Sequence, residues 1–127
     1  MRRTLILAVT AFALSVALCA AGAAAVSRAV GSASAYLEEA RAEVRRGDVD
    51  GAKAALQALN DDWQRRGRVL ELVAAHDSLS DVKAAARDAL LCLEYAQVDE
   101  FARACAGVEA ALERMRMAEA VRVMNLF

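Results

Sequence analysis

The chain has 127 residues, of which 58% are hydrophobic and 26% charged, and its formal net charge is −1 at pH 7. Basic and acidic residues are interspersed, which excludes the basic patch typical of a nucleic-acid-binding protein. The chain contains no proline and is rich in Ala, Leu, Glu and Arg, a composition that predicts an all-α protein.

The N-terminal segment carries Arg2 and Arg3 and then no charged residue before Arg28. The uncharged run, residues 4–26, is long enough to cross a bilayer as one helix. We therefore expect the lipid bilayer to be a partner of residues 4–26, and a single-pass location in the cell membrane. The positive-inside rule places the N-terminus in the cytoplasm and residues 27–127 on the extracytoplasmic side.

The same segment also has the parts of a cleaved signal peptide. A basic start and an apolar run to Leu18 are followed by small residues ending at Ala25, and cleavage there would release a secreted domain. We favour an uncleaved signal-anchor because Ala and Val continue the apolar run in helical register. Acylation at Cys19 is disfavoured because the large residue Leu18 precedes it. Residues 1–26 are thus the signal-anchor or signal peptide, and residues 27–127 the helical domain.

Beyond the membrane segment, apolar residues recur every three or four positions, which is the helical period. The first series continues the membrane helix and ends at Arg45-Arg46-Gly47, where Gly47 suits a left-handed C-cap. A second helix is expected over about 49–76, with Asp48 or Asp50 as its N-cap. Asp61 with Arg65, and Asp62 with Arg66, are expected to form surface pairs on this helix.

The second half of the chain predicts two more helices. A turn at 76–80 precedes the third, with Ser78 or Ser80 as its N-cap. A tight turn at Gln97-Val98 precedes the fourth, which Asp99 would cap, and the apolar tail 120–127 is expected to pack back onto the domain. The predicted architecture is an N-terminal transmembrane helix continuing into a small antiparallel bundle of about four helices. The inward positions are Val26, Val30, Ala33, Leu37, Ala40, Val44; Ala52, Leu56, Leu59, Trp63, Arg66, Leu70, Val73; Leu79, Val82, Ala86, Ala89, Leu93, Ala96; and Phe101, Cys105, Val108, Leu112, Met115.

Several residues follow an order found in a known family. A helix opened by Gly47-Asp48 leads to Trp63, then to His76-Asp77 with Asp81 beyond, and last to Asn125-Leu126-Phe127. In this order the chain resembles the bacterial family called domain of unknown function 4363, although that family usually has Glu where this chain has Asp77. The resemblance implies a small single-pass membrane protein with an extracytoplasmic helical domain, and a multi-pass membrane protein as a partner.

Among residues that could carry chemistry, His76 is the only histidine, and Asp77 and Asp81 lie near it in sequence. Metal sites in helical bundles take several ligands from facing helices, commonly in Glu-x-x-His pairs, and the chain has none. We expect no metal, no cofactor and no catalytic residue. His76 is expected to bond carbonyl groups at a helix end, and Trp63 to lie in the core. Phe127 is expected to dock into the bundle rather than act as a recognition tag.

Cys92 and Cys105 are a possible disulfide pair. If the third and fourth helices form a hairpin centred between Val98 and Asp99, the two cysteines are equally distant from its turn. An extracytoplasmic compartment would permit the bond. Two buried free thiols are the alternative, because Cys92 lies at the flank of its helix's apolar face.

The predicted function is a non-enzymatic interaction or accessory module for a membrane partner. Leu72, Leu91 and Tyr95 lie off the inward positions and could form a contact surface for that partner or for a second copy of the chain. The alternative is a secreted helical domain that binds a ligand after cleavage near Ala25.

Overall fold

The computed structural model describes residues 1–126, and within that range the chain forms four α-helices and no strand. The all-α prediction is therefore confirmed. Short connections of two or three residues separate the helices, which makes each helix antiparallel to the next. The helices are α1 (Arg2–Arg45), α2 (Val49–Val73), α3 (His76–Glu94) and α4 (Val98–Leu126).

The four helices form a closed ring in chain order. Each helix packs against its neighbours in sequence, and α1 also packs against α4. Most of the buried side chains lie at the positions that the helical period predicts. The core consists of Val26, Ala29, Ala33, Leu37 and Ala40 from α1, Ala52, Ala55, Leu56, Leu59, Trp63 and Leu70 from α2, Leu79, Val82, Ala86, Ala89 and Leu93 from α3, and Phe101, Cys105, Val108, Ala111, Leu112 and Met115 from α4.

Helix α1 is much longer than the others because nothing in its sequence interrupts it. Its residues 22–45 lie in the bundle, and its residues 2–21, which we call the projecting segment, extend beyond it. Side chains of the projecting segment are exposed, except Val16 and Cys19, which are half-buried. Because of this segment, α1 is the one helix among residues 1–126 that is long and apolar enough to span a membrane. At roughly 1.5 Å per residue it measures about 30 Å, which matches the hydrocarbon core of a bilayer.

The bundle has two ends, which we name by their distance from the projecting segment. The distal end holds the α1–α2 and α3–α4 connections. The proximal end holds the α2–α3 connection, the point where α1 leaves the bundle at Gly22, and the last turns of α4. A Cβ built at Gly22 would lie 3.2 Å from Val73 Cγ1 and 3.9 Å from Glu119 Oε1, so these three residues lie at one level.

The α1–α2 connection agrees with the sequence-based expectation. The Gly47 N–H donates to the Val44 carbonyl at 3.0 Å, and the Asp48 N–H donates to the Glu43 carbonyl at 2.8 Å. These are the two hydrogen bonds of a Schellman C-cap, which requires the positive φ of +80° that Gly47 adopts. Asp48 is the N-cap of α2, since its carboxylate accepts a 2.9 Å hydrogen bond from the Gly51 N–H.

The boundaries of α3 differ from the prediction. Helix α2 ends at Val73, not near 76, and α3 begins directly at His76 with Ala75 as its N-cap. Ser78 and Ser80 therefore lie inside α3 and do not cap it. The predicted turn at 76–80 was wrong because Ala74 and Ala75, in extended backbone, are sufficient to reverse the chain.

The α3–α4 connection lies earlier than predicted, at 95–97. Ala96 adopts a φ of +55°, and its N–H donates to the Leu93 carbonyl at 3.2 Å. The Gln97 N–H donates to the Cys92 carbonyl at 2.8 Å, which completes a second Schellman C-cap. Ala96 is therefore an exposed turn residue and not an inward one. Asp99 lies in the first turn of α4 and is not its N-cap.

The tail was also predicted wrongly. Residues 120–126 continue α4 as helix instead of folding back onto the bundle. Val121 and Met124 are exposed, Asn125 is exposed, and only Val123 is half-buried in this stretch. Phe127, for which docking into the bundle was expected, lies outside the described residues.

Candidate functional site

Trp63 lies in the core, as predicted. Its ring is buried between α2 and α3, and its Nε1–H donates to the Leu79 carbonyl at 3.3 Å. A buried indole needs such a partner, because an unsatisfied N–H in the core would destabilise the fold. Trp63 thus links α2 to α3 and is not available as a ligand platform.

His76, Asp77 and Asp81 are exposed on the first two turns of α3. The N-terminus of a helix presents N–H groups, which favour the nearby Asp77 carboxylate. His76 was expected to bond carbonyl groups at a helix end, but it lies at the N-terminus of α3, where N–H groups are free. Its side chain has no hydrogen bond to any described residue. Among the residues that the structure describes, no three His, Cys, Asp or Glu side chains come together as a metal site would require.

His76 and Trp63 both line an open groove of about 1290 Å³ along α2 and α3. Its charged lining mixes both signs, because Arg65, Arg68, Lys83 and Arg87 lie beside Asp61 and Glu71. A site for a small ligand is normally concave and largely apolar, with a few convergent polar groups. The groove is open along the two helices and its charged lining mixes both signs, which does not favour a small-ligand site.

Cys92 and Cys105 are free thiols in the structure, as is Cys19. The basis for pairing them was wrong, because the α3–α4 turn is centred near Ala96 and the two cysteines are not equally distant from it. Cys105 is buried and Cys92 half-buried. Burial raises the pKa of the Cys105 thiol, against the opposing effect of the nearby Arg41 guanidinium. A disulfide between them stays a prediction.

Asp62 is a buried polar residue, although the sequence pattern predicted that it would lie on the surface. Only 8% of its surface is exposed, and its Oδ2 accepts hydrogen bonds from Ser32 Oγ at 2.8 Å and from Arg66 Nε at 2.9 Å. Burial by itself would raise the pKa of Asp62, but these hydrogen bonds and the charges of Arg66 and Arg65 lower it overall. Asp62 thus joins α1 to α2 and is not a surface group.

The sequence did contain a sign that Asp62 and Arg66 pair at a partly buried position. Arg66 interrupts an otherwise apolar series, and a cation at a half-buried position needs a partner. Asp62 is one helical turn before it. The expected pair between Asp61 and Arg65 is absent from the described ion pairs; Asp61 is exposed, and Arg65 lies 3.6 Å from Asp62 instead.

Most of the exposed large apolar residues lie in the projecting segment and at the proximal end. In α1 the exposed apolar side chains surround the helix, whereas at the proximal end they form smaller groups. Because exposed apolar residues this numerous are unusual for a protein in water, this surface is the strongest candidate for function. The large apolar residues exposed there are Leu5, Ile6, Leu7, Val9, Phe12, Leu14 and Leu18 in α1, Val69 and Leu72 in α2, and Met117, Val121 and Met124 in α4.

A polar contact fixes α4 to α2 at the proximal end. Arg122 Nη1 donates to the Val73 carbonyl, at the C-terminus of α2. Arg122 Nη1 also lies 3.7 Å from the Glu119 Oε2 atom. The last carbonyl groups of a helix lack partners within it, so the guanidinium satisfies one of them and complements the helix dipole.

A second polar contact ties α1 to α4 nearer the distal end. Arg41 Nη1 donates to Glu109 on α4 and to Glu38 on α1, the latter at 2.7 Å. These carboxylates raise the pKa of Arg41 further above its ordinary range, with the Glu109 hydrogen bond as the largest cause. A guanidinium is charged at any physiological pH, so this contact does not depend on the titration of Arg41.

Comparison of the chain with protein-family models, with curated proteins and with solved structures finds no match. The resemblance to the domain of unknown function 4363 family therefore stays a prediction from the residues quoted above.

Proposed function

We propose that this protein is a single-pass membrane protein whose helical domain acts as a non-enzymatic interaction module next to the bilayer. One observation carries the proposal: α1 is a single helix that is both the apolar projecting segment and a wall of the bundle. A helix without a break holds the bundle directly against the surface that its apolar part enters.

The course of α1 also favours an anchor over a cleaved signal peptide. Residues 23–25, which contain the candidate cleavage site, are helical and half-buried. An uncleaved chain keeps these residues in the helix that forms one wall of the bundle. Cleavage after Ala25 would also remove Gly22, whose backbone lies close to Val73.

The charges next to the apolar segment support one orientation. Arg2 and Arg3 precede it, and by the positive-inside rule they remain in the cytoplasm. The bundle is then extracytoplasmic, as the resemblance to the single-pass family also implies.

The anchor can be tested by the intact mass of the native protein in membrane and soluble fractions. We expect the full-length mass in the membrane fraction. Replacement of Leu14 and Leu18 by Arg places two charges in the bilayer, each costing about 2.5–3.5 kcal/mol on insertion scales, and should release the protein from membranes. A soluble native protein that lacks residues 1–25 would instead establish the secreted alternative.

For the interaction surface, the structure separates the three residues predicted to form it. Leu72 is 84% exposed at the proximal end, whereas Tyr95 is 72% exposed at the distal end with Leu91 one turn before it. Tyr95, the C-cap of α3, lies one turn after Leu91 on the same side, and Val98 is exposed beyond the turn. We take this distal group as the contact for a second copy or a multi-pass membrane partner.

Cross-linking of the protein in native membranes tests this contact. Leu91→Glu should abolish the cross-linked species by placing a charge in the interface. Ala84→Glu is the matched control, because it adds the same charge to the same exposed face of α3 two turns earlier. Equal cross-linking by the parent and the Leu91→Glu variant would refute an interaction at this site.

A further inference from the structure

Helix α4 carries an exposed apolar stripe at its proximal end. Met117, Val121 and Met124 are spaced by four and three residues, so they lie on one face of the helix. Val121 is 55% exposed and Met124 is 75% exposed. Water is an unfavourable surrounding for such a stripe, and no described helix covers it.

The register of α4 against α1 places this stripe beside the projecting segment. Glu119 lies at the level of Gly22, and the two helices are antiparallel. Each residue of α4 after Glu119 therefore lies beside a residue of α1 earlier than Gly22. Over residues 120–126, α4 runs about 10 Å along the apolar part of α1.

The burial pattern agrees with this register. Val16 and Cys19 are the two half-buried residues of the projecting segment, and they continue the buried face of α1 that includes Gly22. Val123 is the half-buried residue on the facing part of α4. Helix α2 ends at the level of Gly22, so α4 is the described helix that reaches this depth.

The two charged groups of α4 beyond Met117 are Glu119 and Arg122, and they lie close to each other. Arg122 is paired with Glu119 and donates to the Val73 carbonyl, so its charge is directed back toward the bundle. A long basic side chain can thus lie at the bilayer interface while the adjacent residues of its helix are deeper.

We propose that residues 120–126 of α4 are immersed in the bilayer leaflet nearest the bundle, with Val121 and Met124 in contact with lipid acyl chains. This inference rests on the proposed membrane anchor, since it is the depth of α1 that determines the depth of α4. The occupant of the stripe is lipid because the stripe continues the apolar surface of the projecting segment itself.

Fluorescence quenching by lipids brominated on their acyl chains tests the depth of each position. The full-length protein is reconstituted in vesicles with Trp introduced singly as Leu18→Trp, Val121→Trp or Ala110→Trp. Trp63 stays in place, and the parent protein gives its background. Ala110 is the matched control because it is exposed on the same face of α4 as Val121, three turns toward the distal end.

We expect Trp at positions 18 and 121 to lose a comparable fraction of their fluorescence, and Trp at position 110 to lose none beyond the parent background. Quenching at 18 without quenching at 121 would overturn this inference and leave the anchor intact. A Trp at 121 that is unquenched yet has blue-shifted emission would assign the stripe to a protein contact instead. Absence of quenching at 18 would overturn the anchor and the inference together.

Discussion

The two ends of the bundle are closed in different ways. At the distal end, two Schellman C-caps complete their backbone hydrogen bonds in turns exposed to solvent. At the proximal end, a connection of two alanines is flanked by exposed Leu72, and α1 and α4 continue past it. The bundle is therefore asymmetric along its axis: its distal end closes in two capped turns, whereas its proximal end continues into two helical segments with exposed apolar residues.

The two distal turns also differ from each other, although they have the same hydrogen-bond pattern. Gly47 occupies the left-handed position of the first turn and Ala96 that of the second, with φ of +80° and +55°. Only the alanine has a Cβ that disfavours this conformation. The second turn thus forms although Ala96 disfavours a positive φ, because the packing of α3 against α4 determines where the chain reverses.

The largest effect is expected at the proximal end, from Gly22→Leu. A Cβ at Gly22 would be 3.2 Å from Val73 Cγ1, so a full side chain would force α1 and α2 apart. Overpacking of this kind costs about 1–3 kcal/mol. The free energy of unfolding, measured by denaturant in detergent micelles, should fall by that amount. Gly31→Leu is the control and should not destabilise the bundle, because a Cβ at Gly31 meets no atom within 4 Å.

At the distal end, Gly47→Ala should lower the free energy of unfolding by about 1–2 kcal/mol, since alanine is disfavoured at positive φ. The same denaturant titration measures it. A Cβ at Gly47 meets nothing within 4 Å, so a loss of stability would come from the backbone conformation alone. An unchanged stability would show that this turn does not require glycine.

Midway between the ends, Asp62→Asn should cost about 1 kcal/mol by weakening the hydrogen bonds from Ser32 and Arg66. The pKa of Asp62 is lowered in the folded state, so its stabilising contribution is present above the unfolded pKa of about 3.9 and is lost as the pH falls through the lower folded value. Denaturant titrations should show that the free energy of unfolding falls less between neutral and acid pH for the Asn variant than for the parent. Parallel pH profiles would contradict a stabilising carboxylate.

The smallest effect is expected from Ala96→Gly, which should stabilise the protein by roughly 0.5 kcal/mol. Glycine removes the strain of positive φ, but it also gives the unfolded chain more freedom, which offsets part of the gain. Thermal unfolding of this variant beside Gly47→Ala tests the comparison directly. A destabilised Ala96→Gly variant would mean that the second turn is not strained by its alanine.

The helical period was sufficient to predict the number of helices and most of the core. Positions such as Leu37, Leu59, Val82 and Val108 are buried as predicted, because a face repeating every three or four residues has to pack against another. Gly47 and Asp48 were also identified correctly, since both residue types have strong local preferences at helix ends.

The errors lie where the packing of the helices overrides the local preference of the residue. Ala74, Ala75 and Ala96 are good helix formers, yet they lie in connections. The apolar tail was expected to fold back, but no breaker interrupts α4, so residues 120–126 continue the helix. Asp62 was misassigned because its burial depends on Ser32, which is thirty residues away.

Because α1 is continuous, a tilt of its membrane part moves the whole bundle. Membrane helices tilt by about 20° on average, and the tilt changes with bilayer thickness. The part of α1 within the bundle is about 36 Å long at roughly 1.5 Å per residue. In the anchored protein, a 20° change in tilt would carry the distal end, with Leu91 and Tyr95, sideways by about 12 Å. The thickness of the bilayer would thereby determine which neighbours the distal contact residues can reach.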